Sequence, residues 1–266
     1  MGGAVAAVAF QAPPKELSQH ILQARPEHIF LVTEDGDRIS AVHLRSPRQV
    51  RRVVLYSHSN AEDVGLKLSF LDRMVDICAT EVLAYDYCGY GLSDGTPTEE
   101  NCYAAIDAAY AYLRREFDPS NIVTFGRSIG SGPSIDLNSR HPEIRGMVLQ
   151  SPMESGAKAF LGNAGAWVGY QLDIFRNYEK IGDIACPVLF MHGLADEVVP
   201  FSNAKALYDA CPNAVNPLWI DGRGHNNLPT DIVLQRVREF LDDLEGLGWG
   251  FKHFRAHLQT NLSVNL

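Results

Sequence analysis

The residues Gly126-Arg127-Ser128-Ile129-Gly130 have the pattern G-x-S-x-G. The apolar run Asn121–Phe125 precedes them and a helical pattern follows, which is the setting a nucleophilic serine needs. Glycines let a strand turn sharply into a helix, and the helix N-terminus favours negative charge developing beside the hydroxyl. A serine hydroxyl is a weak nucleophile until a base takes its proton. His225 suits that role: the loop Asp221-Gly222-Arg223-Gly224 delivers it after the run Leu218–Ile220. A carboxylate must then orient the imidazole. Asp196, a short turn after Phe190-Met191-His192, is favoured over its rivals Glu197 and Asp221. Asp221 stands too close in sequence to reach around the ring.

An oxyanion needs two backbone N–H donors. Ile129 follows the nucleophile and supplies one. The loop Ser57-His58-Ser59-Asn60-Ala61 ends another apolar run, so Ser59 and Asn60 are the candidates for the second. His58 reads as structural, because a base is already placed. Arg127 could steer an acidic substrate, but a salt bridge to a neighbour is the commoner fate of such a residue. None of this chemistry calls for a metal or a cofactor.

These residues need a scaffold, and the hydrophobic pattern describes one. Short apolar runs at Arg52–Ser57, Glu81–Asp86, Asn121–Phe125, Gly146–Gln150, Pro187–Met191 and Pro217–Ile220 read as strands buried on both faces. Helical stripes lie between them. They are Leu66, Phe70, Leu71, Met74 and Ile77; then Tyr103, Ile106, Ala109, Tyr110 and Leu113; then Ala204, Leu207 and Tyr208; and last Val233, Val237, Phe240 and Leu241. Alternation of this kind predicts βαβ units: an α/β fold with a mostly parallel central sheet and helices on both faces. Asp35-Gly36 between Ile29–Val32 and Ile39–Leu44 predicts an antiparallel hairpin at the N-terminal side. The order Ser128, Asp196, His225 is that of the α/β-hydrolase fold.

Three segments fall outside that rhythm. Residues 1–26 form an N-terminal extension, with Met1–Phe10 expected to fray or lie on the surface. Residues 27–245 form the single domain. Within it, 152–184 is longer than one crossover needs and reads as a small cap insertion. There Phe160, Ala164, Trp167 and Val168 recur at helical spacing; Phe160 and Trp167 are the candidates for a substrate-binding wall, unless the stripe is a helix packed on the sheet. Residues 246–266 form a C-terminal amphipathic tail with Leu247, Phe251, Phe254 and Leu258 beside Lys252 and Arg255.

Composition narrows the classes. The 266 residues are 46% hydrophobic and 21% charged, a globular balance rather than a disordered one. With 23 Lys and Arg against 32 Asp and Glu, the net charge of −9 argues against a nucleic-acid partner. No apolar run is long enough to span a bilayer. Five Cys without C-x-x-C spacing read as reduced thiols of a cytoplasmic protein, with Cys88 in a Gly-rich loop the one of interest. Gly2 is a weak myristoylation signal because Ala6 stands where Ser or Thr is preferred.

Taken together, several segments resemble the α/β-hydrolase domain-containing protein 17 family of serine depalmitoylases and its serine-aminopeptidase-like relatives. They are Ser57-His58-Ser59-Asn60-Ala61-Glu62-Asp63, Tyr85-Asp86-Tyr87-Cys88-Gly89-Tyr90-Gly91, Gly126–Gly130, Ser151-Pro152, His192-Gly193 through Asp196-Glu197-Val198, and Gly222–Asn226. The similarity runs from about Glu27 to Leu244. It implies hydrolysis of long-chain acyl thioesters on protein cysteines, with Ser128, Asp196 and His225 as triad. It also implies work at the cytoplasmic face of a membrane, as a peripheral protein. Two departures stand out. Ser59 replaces the family's usual Gly, which puts the oxyanion geometry in question, and the family's N-terminal Cys cluster has no counterpart before Cys78. The triad alone also permits a lipid or small-ester carboxylesterase, and the Ser59 departure leaves room for a silent hydrolase fold that only binds.

Overall fold

In the computed structural model, which describes residues 10–161 and 173–246, eight strands form one sheet in the order β1-β2-β4-β3-β5-β6-β7-β8. They are β1 (His28–Val32), β2 (Arg38–Leu44), β3 (Val53–Ser57), β4 (Glu81–Tyr85), β5 (Ile122–Arg127), β6 (Gly146–Gln150), β7 (Val188–Gly193) and β8 (Leu218–Ile220). β1 and β2 pair antiparallel around Asp35-Gly36, where Gly36 takes a φ of 91°. From β4 to β8 every pairing is parallel. This is an α/β-hydrolase sheet with an antiparallel hairpin at one edge.

The helices are α1 (Gln19–Gln23), α2 (Val64–Cys78), α3 (Glu99–Leu113), α4 (Ser131–Arg140), α5 (Gly156–Leu161), α6 (Asn177–Lys180), α7 (Phe201–Ala210) and α8 (Thr230–Gly246). The strands' side chains alternate between two faces. Val54 and Tyr56 of β3 join Val123, Phe125 and Val148 in a core covered by α2 and α8. Val53 and Leu55 point the other way, into a core shared with α3. Farther along that face, Met147, Leu149 and Phe190 pack with residues of α4 and α7. Caps set the helix starts: Asp63 accepts the Leu66 N–H at 2.9 Å, and Thr98 accepts the Asn101 N–H at 3.1 Å.

Two expectations need correction. Leu66 is 44% exposed, although the stripe from Leu66 to Ile77 was expected to face the core. Leu71 and Met74 of that stripe are buried and Phe70 and Ile77 pack against the core, but the seam of α2 also takes Val64, Leu68, Val75 and Cys78. Leu66 lies two residues from both Val64 and Leu68, roughly 200° around the helix from that seam. Nor is the N-terminal segment an appendage from residue 10 onward. Phe10 is buried with the α3-side core and Leu22 with the α2-side core. Residues 1–9, the middle of the cap insertion and the tail from 247 on lie outside the described residues. No helix among the described residues is long and apolar enough to cross a membrane.

Candidate active site

β5 extends through Arg127, two residues past the run visible in the sequence, so the chain turns at Ser128 itself. Ser128 has a φ of 54°, a left-handed conformation that a side chain adopts only under constraint. Close backbone packing supplies the constraint. A Cβ on Gly126 would stand 2.5 Å from the Gly130 carbonyl oxygen, and one on Gly130 would stand 2.3 Å from that of Ser57. Only glycine fits at either place. Ser131, opening α4, donates its hydroxyl to the Ser128 carbonyl at 2.6 Å and braces the turn from below.

Two later loops meet above this turn. Ala195 N–H donates to the Arg223 carbonyl at 2.9 Å, and Leu194 N–H to the Ile220 carbonyl at 2.9 Å. The loops after β7 and β8 are thereby joined. The join requires Gly193, whose Cβ would sit 2.2 Å from the Arg223 oxygen. The result is a continuous chain of contacts. His225 Nε2 lies 3.0 Å from Ser128 Oγ, and His225 Nδ1 lies 2.8 Å from Asp196 Oδ2. All three residues are buried. Because Oδ2 is an acceptor, Nδ1 carries the proton and Nε2 presents its lone pair to the hydroxyl. Glu197 and Asp221, the rival carboxylates, are exposed.

Asp196 is held by more than His225. Its Oδ1 accepts the Val198 and Val199 N–H groups at 2.9 and 2.8 Å, and His192 Nε2 lies 3.3 Å from Oδ2. Burial alone would raise this carboxyl's pKa. Hydrogen bonds from His192 and His225, the His225 charge and the Val199 N–H outweigh it and hold the group well below the usual carboxylate range. His192 is the supporting residue that the sequence reading passed over. Its position four residues before Asp196, at the end of β7, was the available signal.

The loop after β3 departs from expectation. Ser59 does not offer its backbone donor to a substrate, because its N–H donates to Glu62 Oε1 at 2.9 Å. Nor does its side chain crowd the turn: Ser59 Oγ accepts from Arg127 Nη1 at 3.0 Å. Asn60 is anchored through its side chain, where Oδ1 accepts from Tyr90 Oη at 2.6 Å and from the Gln11 N–H at 2.8 Å. Ile129, next to Ser128, is buried. His58 is also buried. Its Nδ1 donates to the Ser59 carbonyl at 2.7 Å, a structural role as expected. Burial lowers the His58 pKa, and it raises that of Asp86, 3.6 Å from His58 Nε2, to about 7.

Arg127 takes the ion-pair option. Its Nη1 donates to Glu62 Oε2 at 2.7 Å and its Nη2 to Asn226 Oδ1 at 2.8 Å. Burial opposes ionisation of Glu62, but Arg127, Lys67 and the Ser59 N–H bring its pKa down to about 2. Of the two residues named for a substrate-binding wall, Trp167 and the Phe160 side chain lie outside the described residues. One apolar group described beside α4 is Phe175, which packs with Phe10 and Tyr103. The Phe175 ring fills the space that a Gly132 side chain would occupy, with its centroid 6.0 Å from that of Phe10 and 5.8 Å from that of Tyr103. Cys88 is buried, and burial with Asp37 nearby pushes its thiol up to about 11, away from thiolate chemistry. Among the described residues, no cluster of three His, Cys, Asp or Glu side chains is placed to hold a metal ion.

Known proteins resemble this chain in both sequence and fold. Residues 48–173 match the family described as "Serine aminopeptidase, S33". The mouse alpha/beta hydrolase domain-containing protein 17C is 38% identical over 229 residues, covering 85% of this chain and 70% of the relative. Human alpha/beta hydrolase domain-containing protein 17B is 38% identical over 212 residues, covering 79% and 73%. Among solved structures, Est1E from Butyrivibrio proteoclasticus with ferulic acid bound has a TM-score of 0.69 at 18% identity, covering 82% of this chain and 100% of that one. An esterase from Pyrococcus furiosus has a TM-score of 0.68 at 19% identity, covering 88% and 97%. The distant structures share the fold, and the close relatives place the chain in the α/β-hydrolase domain-containing protein 17 family.

Proposed function

We propose that the protein is a serine hydrolase that releases long-chain acyl groups from cysteine thioesters of proteins. The observation that carries the hydrolase reading is the contact chain Ser128 Oγ–His225 Nε2 and His225 Nδ1–Asp196 Oδ2 at a strained turn. In the first half-reaction, His225 Nε2 takes the Ser128 proton as Oγ attacks the acyl carbonyl. The Ile129 N–H and the loop residue Asn60 hold the oxyanion. The tetrahedral intermediate collapses, the cysteine sulfur leaves and His225 returns its proton. Water then adds to the acyl-serine with His225 as base, and the fatty acid departs with Ser128 restored. A cysteine leaving group with a pKa near ~8.5 needs less protonation than an alcohol, which suits a thioester. The thioester preference itself is supported by the family resemblance.

The test has two stages. A fluorophosphonate probe should label the wild-type protein and not Ser128→Ala; the absence of Ser128-dependent labelling would sink the serine-hydrolase reading, and no labelling at all would favour a silent binding fold. Release of palmitate from an S-palmitoylated peptide is then compared with release from a monoacylglycerol. Faster release from the glycerol ester would replace the thioesterase reading with the lipase one. We also propose peripheral association with the cytoplasmic face of membranes. Co-sedimentation with anionic and neutral liposomes should show binding that falls when residues after Gly246 are removed; equal binding would clear the tail of that role.

A further inference from the structure

We infer that Arg127 is a positioning residue for this reaction: its guanidinium ties the loop that bears the oxyanion donor to the loop that bears the base. The inference rests on the serine-hydrolase reading above. Arg127 is the residue immediately before Ser128, in a strand paired on its far side with β6 in the register Arg127↔Gln150. Its backbone is therefore fixed by the sheet, and its side chain is buried.

From that fixed base the guanidinium reaches two loops that are far apart in sequence. Nη1 donates to Ser59 Oγ at 3.0 Å and to Glu62 Oε2 at 2.7 Å, both in the loop after β3. Nη2 donates to Asn226 Oδ1 at 2.8 Å, beside His225. Glu62 completes the arrangement: its other oxygen accepts the Ser59 N–H, and Lys67 Nζ lies 3.1 Å from Oε2. A rigid planar fork with separate N–H groups can serve both loops at once, whereas one ammonium cannot. The Ser59 hydroxyl, which a glycine there would lack, is the group that receives Nη1. The oxyanion donor and the base must hold a fixed separation, because the base takes the Ser128 proton as negative charge forms on the carbonyl oxygen that the donor holds. A misplacement of about 1 Å in such an arrangement can cost roughly a hundredfold in rate.

The fork touches neither the nucleophile nor the imidazole in these contacts, so its loss should slow chemistry while leaving ground-state substrate binding alone. The 266-residue protein is assayed with p-nitrophenyl octanoate, with Ser128→Ala in parallel. Arg127→Lys keeps the charge opposite Glu62 but cannot span both loops. We expect kcat to fall about ten- to a hundredfold with KM within about twofold. Asn226→Ala, an exposed position that cuts only the base-loop end, should lower kcat in the same way. The double variant should be no slower than Arg127→Lys alone. A wild-type kcat in Arg127→Lys, a defect confined to KM, or additive losses in the double variant would overturn the inference. If Arg127→Lys fails to fold, Asn226→Ala decides by the same kcat and KM criterion. Turnover that survives in Ser128→Ala refutes the hydrolase reading itself, whereas Ser128-dependent turnover indifferent to Arg127 and Asn226 refutes only the clamp.

Discussion

At the scale of single residues, Asp196 shows how much work one carboxylate performs when its environment is built around it. Two backbone N–H groups fix Oδ1, and two imidazoles converge on Oδ2. Asp196→Asn would keep the shape but present an amide to Nδ1, favouring the wrong tautomer of His225. Loss of about 10⁴ in kcat is the expected outcome, read with p-nitrophenyl octanoate, while the far-UV spectrum stays unchanged. His192→Gln removes only a supporting donor and should cost far less, about tenfold. The three residues of the contact chain, Ser128, Asp196 and His225, were legible as candidates because each stands in a loop or turn within five residues of the end of an apolar run, in the expected chain order. The fate of Ser59 was less legible, yet a signal existed. Ser59-Asn60-Ala61-Glu62 has the S-x-x-E spacing in which a glutamate reaches back to the N–H three residues before it. Reading the loop as an oxyanion donor set that signal aside. Ala61 at a φ of 56° bends the backbone within that loop.

At the scale of elements, boundaries and faces were the weak points, and α2 shows why. Its sequence offers apolar residues on more than one side: Leu66, Phe70 and Ile77 beside Val64, Leu68, Leu71, Val75 and Cys78. Periodicity alone cannot choose between overlapping stripes; the partner surface does. Here α8 and the sheet form that surface, since Leu68, Leu71 and Val75 share a core with Val233, Val237 and Phe240, while Gly65 lies so close to the start of α1 that a Cβ would lie 2.6 Å from Ser18 Cβ. The consequence is measurable. Leu66→Ser should change unfolding stability by no more than about 0.5 kcal/mol, whereas Leu71→Ala, fully buried, should cost about 2–5 kcal/mol in urea titrations. The same lesson applies to Phe10. Nothing local marks it as core, because its ring partner Phe175 lies far away in sequence. Phe10→Ala should destabilise the fold by about 3 kcal/mol. By freeing the segment whose Gln11 N–H meets Asn60, it should also loosen the loop after β3.

At the scale of the whole molecule, the net charge of −9 conceals a distribution in which buried carboxyls oppose one another in their response to pH. Glu62 and Asp196 both have pKa values depressed in the fold, Glu62 to about 2. Each therefore stabilises the fold fully above its unfolded pKa, near 4.5 for Glu62 and 3.8 for Asp196. That contribution is lost as pH falls toward the folded value. For Glu62 the ionised form is worth on the order of 3 kcal/mol to the fold. Asp86 works in the other sense. Burial raises it to about 7, so the folded state binds the proton more tightly than the unfolded chain does. Its contribution is fully present below about 3.8 and declines as pH rises toward 7. The urea midpoint of the wild-type protein should therefore drop steeply below pH 4.5, where the first two groups fail together. In Asp86→Asn the midpoint should stay flatter between pH 4 and 7, because the amide does not titrate there. In Glu62→Gln the acid limb should become shallower, at the cost of a lower midpoint at pH 7, since Arg127 and Lys67 lose the carboxylate between them. An acid limb of equal steepness in wild type and Glu62→Gln would show that this buried carboxylate does not carry the fold's acid sensitivity.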